Sequence, residues 1–286
     1  MESIAPTDGP YIIIDGKKLL DFSSCDFLGL AQHPEVKKGA IKYALKYGVG
    51  TPPLSIQSTP QLEIEAKLAH YLGKESALLF ACPTELRAQL DKLGASPIST
   101  ETADASSLKK GKGVKVADDT YLLGMTGARG FGSASELPVD IVCGSLMLGS
   151  GAFIAGPKKQ LATLTQGQLS YPALGAIDCA LSFIPEMEHE RKMVLKYKSW
   201  LVKLLGDFSI NELKSPRVIL SSNQAEAVRN YFLQEQIYLA PSVDDTLYFA
   251  ITALHTPDDL DQLSFAVKKL SETDLALSMQ ELTPTP

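Results

Sequence analysis

Short apolar runs constrain this chain more than any other feature. "ESALLFAC" reads as a buried strand, and "GVKVADD", "VDIVCGS" and "GAFIAG" read as three further short strands. Helical stretches separate and follow them. "HPEVKKGAIKYALKYG" has Pro34 near its start, apolar residues at helical spacing and Gly48 at its end, which punctuate a helix on both sides. "TPQLEIEAKLAHYLG" repeats that design, with Thr59 expected as N-cap and Pro60 at the first position. "PALGAIDCALSFIPEMEHERKMVLKYKSWLVKLLGDF" predicts a long helical region broken around Pro185. Beyond it come a strand, "RVILSS", a helix, "NQAEAVRNYFLQEQ", a strand, "TLYFAITAL", and a helix, "HTPDDLDQLSFAVKKL". Thr256 and the Asp258-Asp259 pair supply the cap and first-turn charge of that last helix. Strands that alternate with helices define an α/β protein.

The remaining segments are punctuation or linker. "YIIIDGKKLLDF" is two apolar runs around Asp15-Gly16, a strong hairpin signal. Such an apolar hairpin ahead of the main body has little of its own to bury against, which favours a second subunit. Residues 84–113 show no clear pattern, and "STETADASSLKKGKG" has the composition of a surface linker. "SETDLALSMQELTPTP" reads as a weakly ordered tail. The segment after about residue 186 reads as a smaller α/β lobe.

Charge and cysteine usage narrow the function. A net charge of −6 argues against a nucleic-acid partner. No apolar run reaches membrane-spanning length, and the first residues lack a basic stretch ahead of an apolar one. Cys25, Cys82, Cys143 and Cys179 are scattered without metal spacing, as expected of buried free thiols in a reducing, cytoplasmic compartment. His33, His70, His189 and His255 form no pair at a helical metal spacing, so no metal site is expected. Gly127-Ala-Arg-Gly130-Phe-Gly132 lacks the spacing and strand of a dinucleotide fingerprint and reads as a turn. "EMEHERKMVLKYK" is a solvated helix face. The turn from Gly144 to Gly151, "GSLMLGSG", is of the kind that presents backbone to a ligand, yet it carries no charged side chain.

Five stretches carry a resemblance. "DFLGLAQHPEV" with "KYGVGT", then "LEIEAKLAHYLGKESALLF", "VADDTYLLGMTGARGFG", "VDIVCGSLMLGSGAFIAGPKKQLATL" and "HTPDDLDQL" are similar, in order, to segments of the α-oxoamine synthases. These are pyridoxal-phosphate (PLP) acyltransferases of the aminotransferase type I fold and include aminooxononanoate and aminolevulinate synthases and serine palmitoyltransferase. The resemblance implies a large domain with a mainly parallel sheet and a small C-terminal α/β domain. It divides the chain into an N-terminal arm (1–50), a shortened large domain (51–185) and a small domain (186–286). It implies that Asp118 pairs with the pyridine nitrogen of PLP and that Ser145 stands near the cofactor phosphate. Tyr121 falls where the family has a histidine.

The departures are as informative. The family loop reads Gly-Thr-Leu-Ser-Lys-Ala, whereas here Gly144-Ser145-Leu146 runs into Met147-Leu148. The Schiff-base lysine is absent, and Lys158 and Lys159 match ordinary surface positions beyond the next strand. The arginine that meets the substrate carboxylate has no counterpart in "IYLAPSVDDTLYFAI". "PPLSIQS" replaces the family's Gly-Ser-Arg, and a central segment between Leu79 and Val116 is missing. A Schiff base needs an amine at the cofactor's aldehyde, so no catalytic residue is assigned. The resemblance extends to the lysine-less subunit of serine palmitoyltransferase, which supports a catalytic partner. Three readings follow: a degenerate, non-catalytic homologue that works as a homodimer or with a lysine-bearing relative; an active acyltransferase of the aminooxononanoate type with an atypical site; and a binding or structural protein that keeps the fold alone.

Overall fold

The structure is a computed structural model that describes residues 4–6, 8–53, 56–102, 114–132, 137–146, 148, 151–206, 209–210, 213–222, 224–241 and 245–273. Most of the linker, the end of the tail, and Met147, Gly149 and Ser150 of the small-residue turn lie outside the described residues. The chain forms two compact units, residues 30–188 and residues 1–29 with 189–286.

The second of these is built on two small sheets. Strands β1 (Ile4–Pro6), β2 (Tyr11–Ile14) and β3 (Lys17–Asp21) form an antiparallel meander. The hairpin turns at Asp15 and Gly16, with φ of 48° and 78°, the left-handed pair that a two-residue loop demands. The hairpin does not lack something to bury against. β3 pairs in parallel with β11 (Ile237–Tyr238), and Ile14 and Leu19 pack on Tyr238. The first 29 residues therefore join the C-terminal segment, where the sequence alone suggested an arm of its own.

The other small sheet, in the order β12-β10-β9, comprises β9 (Ser209–Ile210), β10 (Arg217–Ser221) and β12 (Thr246–Ala250). Buried Phe22, Phe232 and Phe249 meet edge to face in this unit's core.

The larger unit holds a five-stranded sheet in the order β4-β8-β7-β6-β5. β5 (Ile98–Ser99), β6 (Val116–Asp118) and β7 (Ile141–Ser145) are parallel. β8 (Ala152–Gly156) runs antiparallel to both β7 and β4 (Ser76–Phe80), so β4 points the same way as the parallel strands. Continuous burial of β7 and β8, Ile141–Gly144 and Ala152–Gly156, explains why these runs read as apolar without alternation.

The helices are α1 (Pro34–Tyr47), α2 (Thr59–Tyr71), α3 (Pro83–Lys92), α4 (Lys158–Leu161), α5 (Tyr171–Phe183), α6 (Glu188–Leu205), α7 (Ala225–Gln234) and α8 (Pro257–Leu270). α5 and α6 are separated at Pro185 by a 3-10 turn, as its missing N–H requires. Thr256 and Asp259 close a capping box on α8.

Several expectations are corrected. The N-cap of α2 is Ser58, one residue before Thr59. The stretch from residue 84 is not patternless: α3 occupies its first part, anchored by buried Leu86 and Leu90. Two anchors on a helix of mostly polar residues give too thin a stripe to read from sequence. All four cysteines are free, but Cys143 alone is buried and Cys25 is exposed. Among the described residues, no helix is long and apolar enough to cross a membrane.

Candidate functional site

Asp118 and Ser145 end adjacent parallel strands, β6 and β7. The carboxyl edge of such strands is where ligands of open α/β sheets bind. The two residues line one cavity of about 130 Å³, together with Thr120, Cys143 and, from α3, Pro83 and Arg87. The structure thus brings Asp118 and Ser145 together. Tyr121 is half-buried in the turn that follows and is not among the residues lining this cavity.

Thr120 joins the two strand ends. Its N–H and hydroxyl both donate to Asp118 Oδ1, at 2.9 and 2.6 Å, and its Oγ1 accepts from the Ser145 N–H at 3.2 Å. One oxygen of Asp118 is therefore committed to a local turn, the usual occupation of an aspartate at a strand end. The neighbouring Asp119 is the fully buried carboxylate. Its Oδ1 accepts from the Thr100 hydroxyl. Its other oxygen lies so near Gly132 that a Cβ there would stand 2.3 Å away. At the back of the cavity burial pushes the Cys143 thiol well above the usual range, and the Asp118 and Asp119 carboxylates push it further. Arg87 acts in the opposite sense but does not outweigh them, so the thiol stays protonated.

Among the described residues, no lysine lines the cavity. Lys158 and Lys159 sit exposed on α4, where the Lys158 N–H donates to Glu75. Sequence reasoning missed Arg87, Thr120 and Cys143. Thr120 had a signal, the Asp-x-Thr spacing of a side-chain turn, whereas Arg87 rides on the helix that the sequence did not disclose. Among the described residues no group of His, Cys, Asp and Glu is arranged to hold a metal ion.

No family model matches the chain. It is similar to the 8-amino-7-oxononanoate synthase 1 of Polaromonas sp., 25% identical over 368 aligned residues that cover 94% of this chain and 91% of that protein. An alignment longer than the 286-residue chain places gaps in it, in accord with a chain shorter than its relatives. The 8-amino-7-oxononanoate synthase of Gluconacetobacter diazotrophicus is 42% identical, over 78 residues or 26% of this chain. Among solved structures, a serine palmitoyltransferase from S. paucimobilis with a bound PLP–myriocin aldimine superposes with a TM-score of 0.80 at 15% identity, covering 95% of this chain and 92% of that one. The 8-amino-7-oxononanoate synthase of Francisella tularensis gives 0.71 at 16% identity, covering 88% and 98%. These superpositions give the chain the aminotransferase type I fold, and its homologues are α-oxoamine synthases.

Proposed function

We propose that this chain is a non-catalytic homologue of the α-oxoamine synthases that works in the cytoplasm as a dimer partner, with itself or with a lysine-bearing relative. The observation that carries the reading is the cavity at the carboxyl edge of the sheet: it keeps Asp118 and Ser145 but has no lysine among the described residues of its lining. Four free cysteines support a reducing compartment.

PLP does not fit the residues around this cavity. About 130 Å³ is well under the ~300 Å³ at which small-molecule pockets begin. Arg87, the one cation among the described residues of the lining, shares it with the Asp118 carboxylate. Loss of a lysine is not by itself enough to keep the cofactor out. The S. paucimobilis protein holds its PLP–myriocin aldimine in a variant with one lysine changed to alanine. The first prediction is accordingly spectroscopic. Mixed with PLP, the protein develops no aldimine absorbance band, and borohydride fixes no cofactor to the chain. A phosphopyridoxyl group on one defined lysine after reduction overturns the non-catalytic reading and favours an active acyltransferase with an atypical site.

The partner part of the proposal rests on α1. Its Leu45 is 84% exposed and Val49, just beyond its end, 77%, and Ile41 on the same helix is exposed as well. Ile41 and Leu45 are one helical turn apart, flanked by Lys38, Lys42 and Lys46 along a groove of about 480 Å³. Aliphatic side chains left this open on neighbouring turns mark an interaction surface. Sedimentation of the chain alone, and mixed with a lysine-bearing 8-amino-7-oxononanoate synthase, yields a dimer in at least one sample. The double change Ile41→Asp, Leu45→Asp loosens that dimer about 100-fold or more, as two lost aliphatic contacts imply. Monomers throughout leave only a protein that retains the fold.

A further inference from the structure

We infer that the groove between α2, β4 and α4 is a second ligand site, which takes an aliphatic carboxylate with its chain along the groove and its head at Lys74 and Lys158. The groove shares no lining residue with the cavity at Asp118 and Ser145 or with the face of α1.

Among the described residues β4 is the outer strand of its sheet, and the groove runs beside it. It encloses about 710 Å³, inside the ~300–1,000 Å³ of small-molecule sites. β4 points the same way as the parallel strands, so Ser76, which opens it, lies at the edge opposite to Asp118 and Ser145. One wall is apolar by sequence spacing: Leu62, Ala66 and Ala69 recur at four and three residues along α2. Leu78 of β4 and Leu161 of α4 face the same space. From Leu62 to His70 the helix rises about 12 Å, room for an extended chain of several carbons.

The two ends of the groove differ in charge. Lys74 and Lys158 stand where β4 begins, and among the described residues neither is in an ion pair. Half-buried Lys74 donates from Nζ to the Val139 carbonyl oxygen at 2.8 Å, which leaves two of its three N–H groups for a ligand. Burial disfavours its ammonium form and lowers its pKa, a cost that an anion beside it offsets. Glu75 is the carboxylate at this end, and its Oε2 accepts the Lys158 N–H at 2.9 Å. Two ammonium groups against one carboxylate leave a single positive charge, which suits a monoanion better than a phosphate dianion. The far end holds buried Glu65. Its Oε1 accepts from the Leu79 N–H and the Gln61 amide, and its Oε2 from the Gln166 amide. That carboxylate repels an anionic head and, with both oxygens engaged, offers little to a cation. The head therefore settles at the lysines and the chain along α2.

The test is calorimetric titration of the full chain with octanoate, octylamine and inorganic phosphate. Octanoate is expected to bind at least ~10-fold more tightly than either of the others. Lys74→Met with Lys158→Met keeps the aliphatic stems and removes both charges. It should weaken octanoate at least ~10-fold, the scale of one lost charge-assisted hydrogen bond. Ala66→Phe, at an exposed position of the wall, fills the groove and should weaken octanoate to a similar degree. Thermal midpoints show whether each variant is folded. Lys158 and Ala66 are exposed, so Lys158→Met and Ala66→Phe decide the matter even if loss of Lys74 unsettles the fold. Octylamine that binds as tightly as octanoate overturns the site. So does an octanoate affinity that the folded variants leave unchanged, or an absence of octanoate binding up to ~10 mM.

Discussion

Gly175→Ala is expected to lower the thermal unfolding midpoint by roughly 8 °C, about 3 kcal/mol, at the few degrees per kcal/mol of a chain this long. Helices α1 and α5 cross at two glycines. A Cβ on Gly175 would lie 2.3 Å from the Gly39 carbonyl oxygen and 2.7 Å from Tyr43 Cγ. One on Gly39 would lie 2.6 Å from the Gly175 oxygen and 2.8 Å from Cys179 Cβ. The obstacle is main chain on both sides, so no rotamer change relieves it and the helices must separate. Separation strains the Tyr43 hydroxyl bond to Asp178 Oδ2, at 3.1 Å, which ties the same two helices. It also displaces α1, the helix that presents Leu45 and Ile41, so dimer formation weakens in the same variant. Gly50→Ala is the control. Nothing lies within 4 Å of a Cβ at Gly50, and its φ is not left-handed, so its midpoint should stay within about 2 °C of the parent, as for an ordinary surface change. A Gly175→Ala protein that melts with the parent shows that this crossing has slack.

This crossing marks the limit of what the sequence discloses. Gly39 and Gly175 sit in the middle of helical patterns, where glycine costs about 1 kcal/mol against alanine. Nothing local says that the two meet across 136 positions. Local chemistry was legible wherever it was self-contained. Asp15-Gly16 sets its own turn, Pro185 stops its own helix, and Thr256 with Asp259 builds its own cap. The buried strands were legible because both their faces are covered.

What escaped depends on distant partners. β11 is two residues long and exists because β3 lies beside it. α3 is held by Leu86 and Leu90 against the sheet, and with it Arg87 reaches the edge where Asp118 and Ser145 end. Resemblance pointed to Asp118 and Ser145, and the text itself shows Met147-Leu148 after Gly144-Ser145-Leu146. The content of the cavity, including an aspartate oxygen already engaged by Thr120, became readable only once β6 and β7 lay side by side.

Acid is the other large lever, and it acts through His255. The imidazole is buried and stacked on Phe22, with ring centroids 4.3 Å apart. Nδ1 lies 3.0 Å from the Thr252 N–H, which has to donate to it. The proton therefore belongs on Nε2, 3.1 Å from the Asp21 carbonyl oxygen. A second proton on Nδ1 would set two donors face to face. Burial brings the pKa of this ring down from 6.5 to about 4, although the nearby carbonyls and Asp259 act in the opposite sense. The folded value is below the unfolded one, so the unfolded chain takes up the proton first. The stability that neutral His255 contributes is complete above about pH 6.5 and is lost as pH falls toward 4. The shift corresponds to a loss on the order of 3 kcal/mol.

Half-buried Asp21 in this unit has its pKa raised by desolvation, which works the other way: it protonates first in the folded protein and offsets part of the loss. A comparison with His255→Asn cancels that offset, because both proteins contain Asp21. Trp200 is the chain's one tryptophan and lies in the unit that holds His255, so its fluorescence follows urea unfolding of that unit. Between pH 7 and pH 4 the parent should lose about 3 kcal/mol more than the variant. The His255 ring proton should keep its neutral chemical shift down to about pH 5 in the folded protein. Parallel stability curves, or an imidazole that titrates near 6.5, show that water reaches this ring and that the stack on Phe22 is not closed.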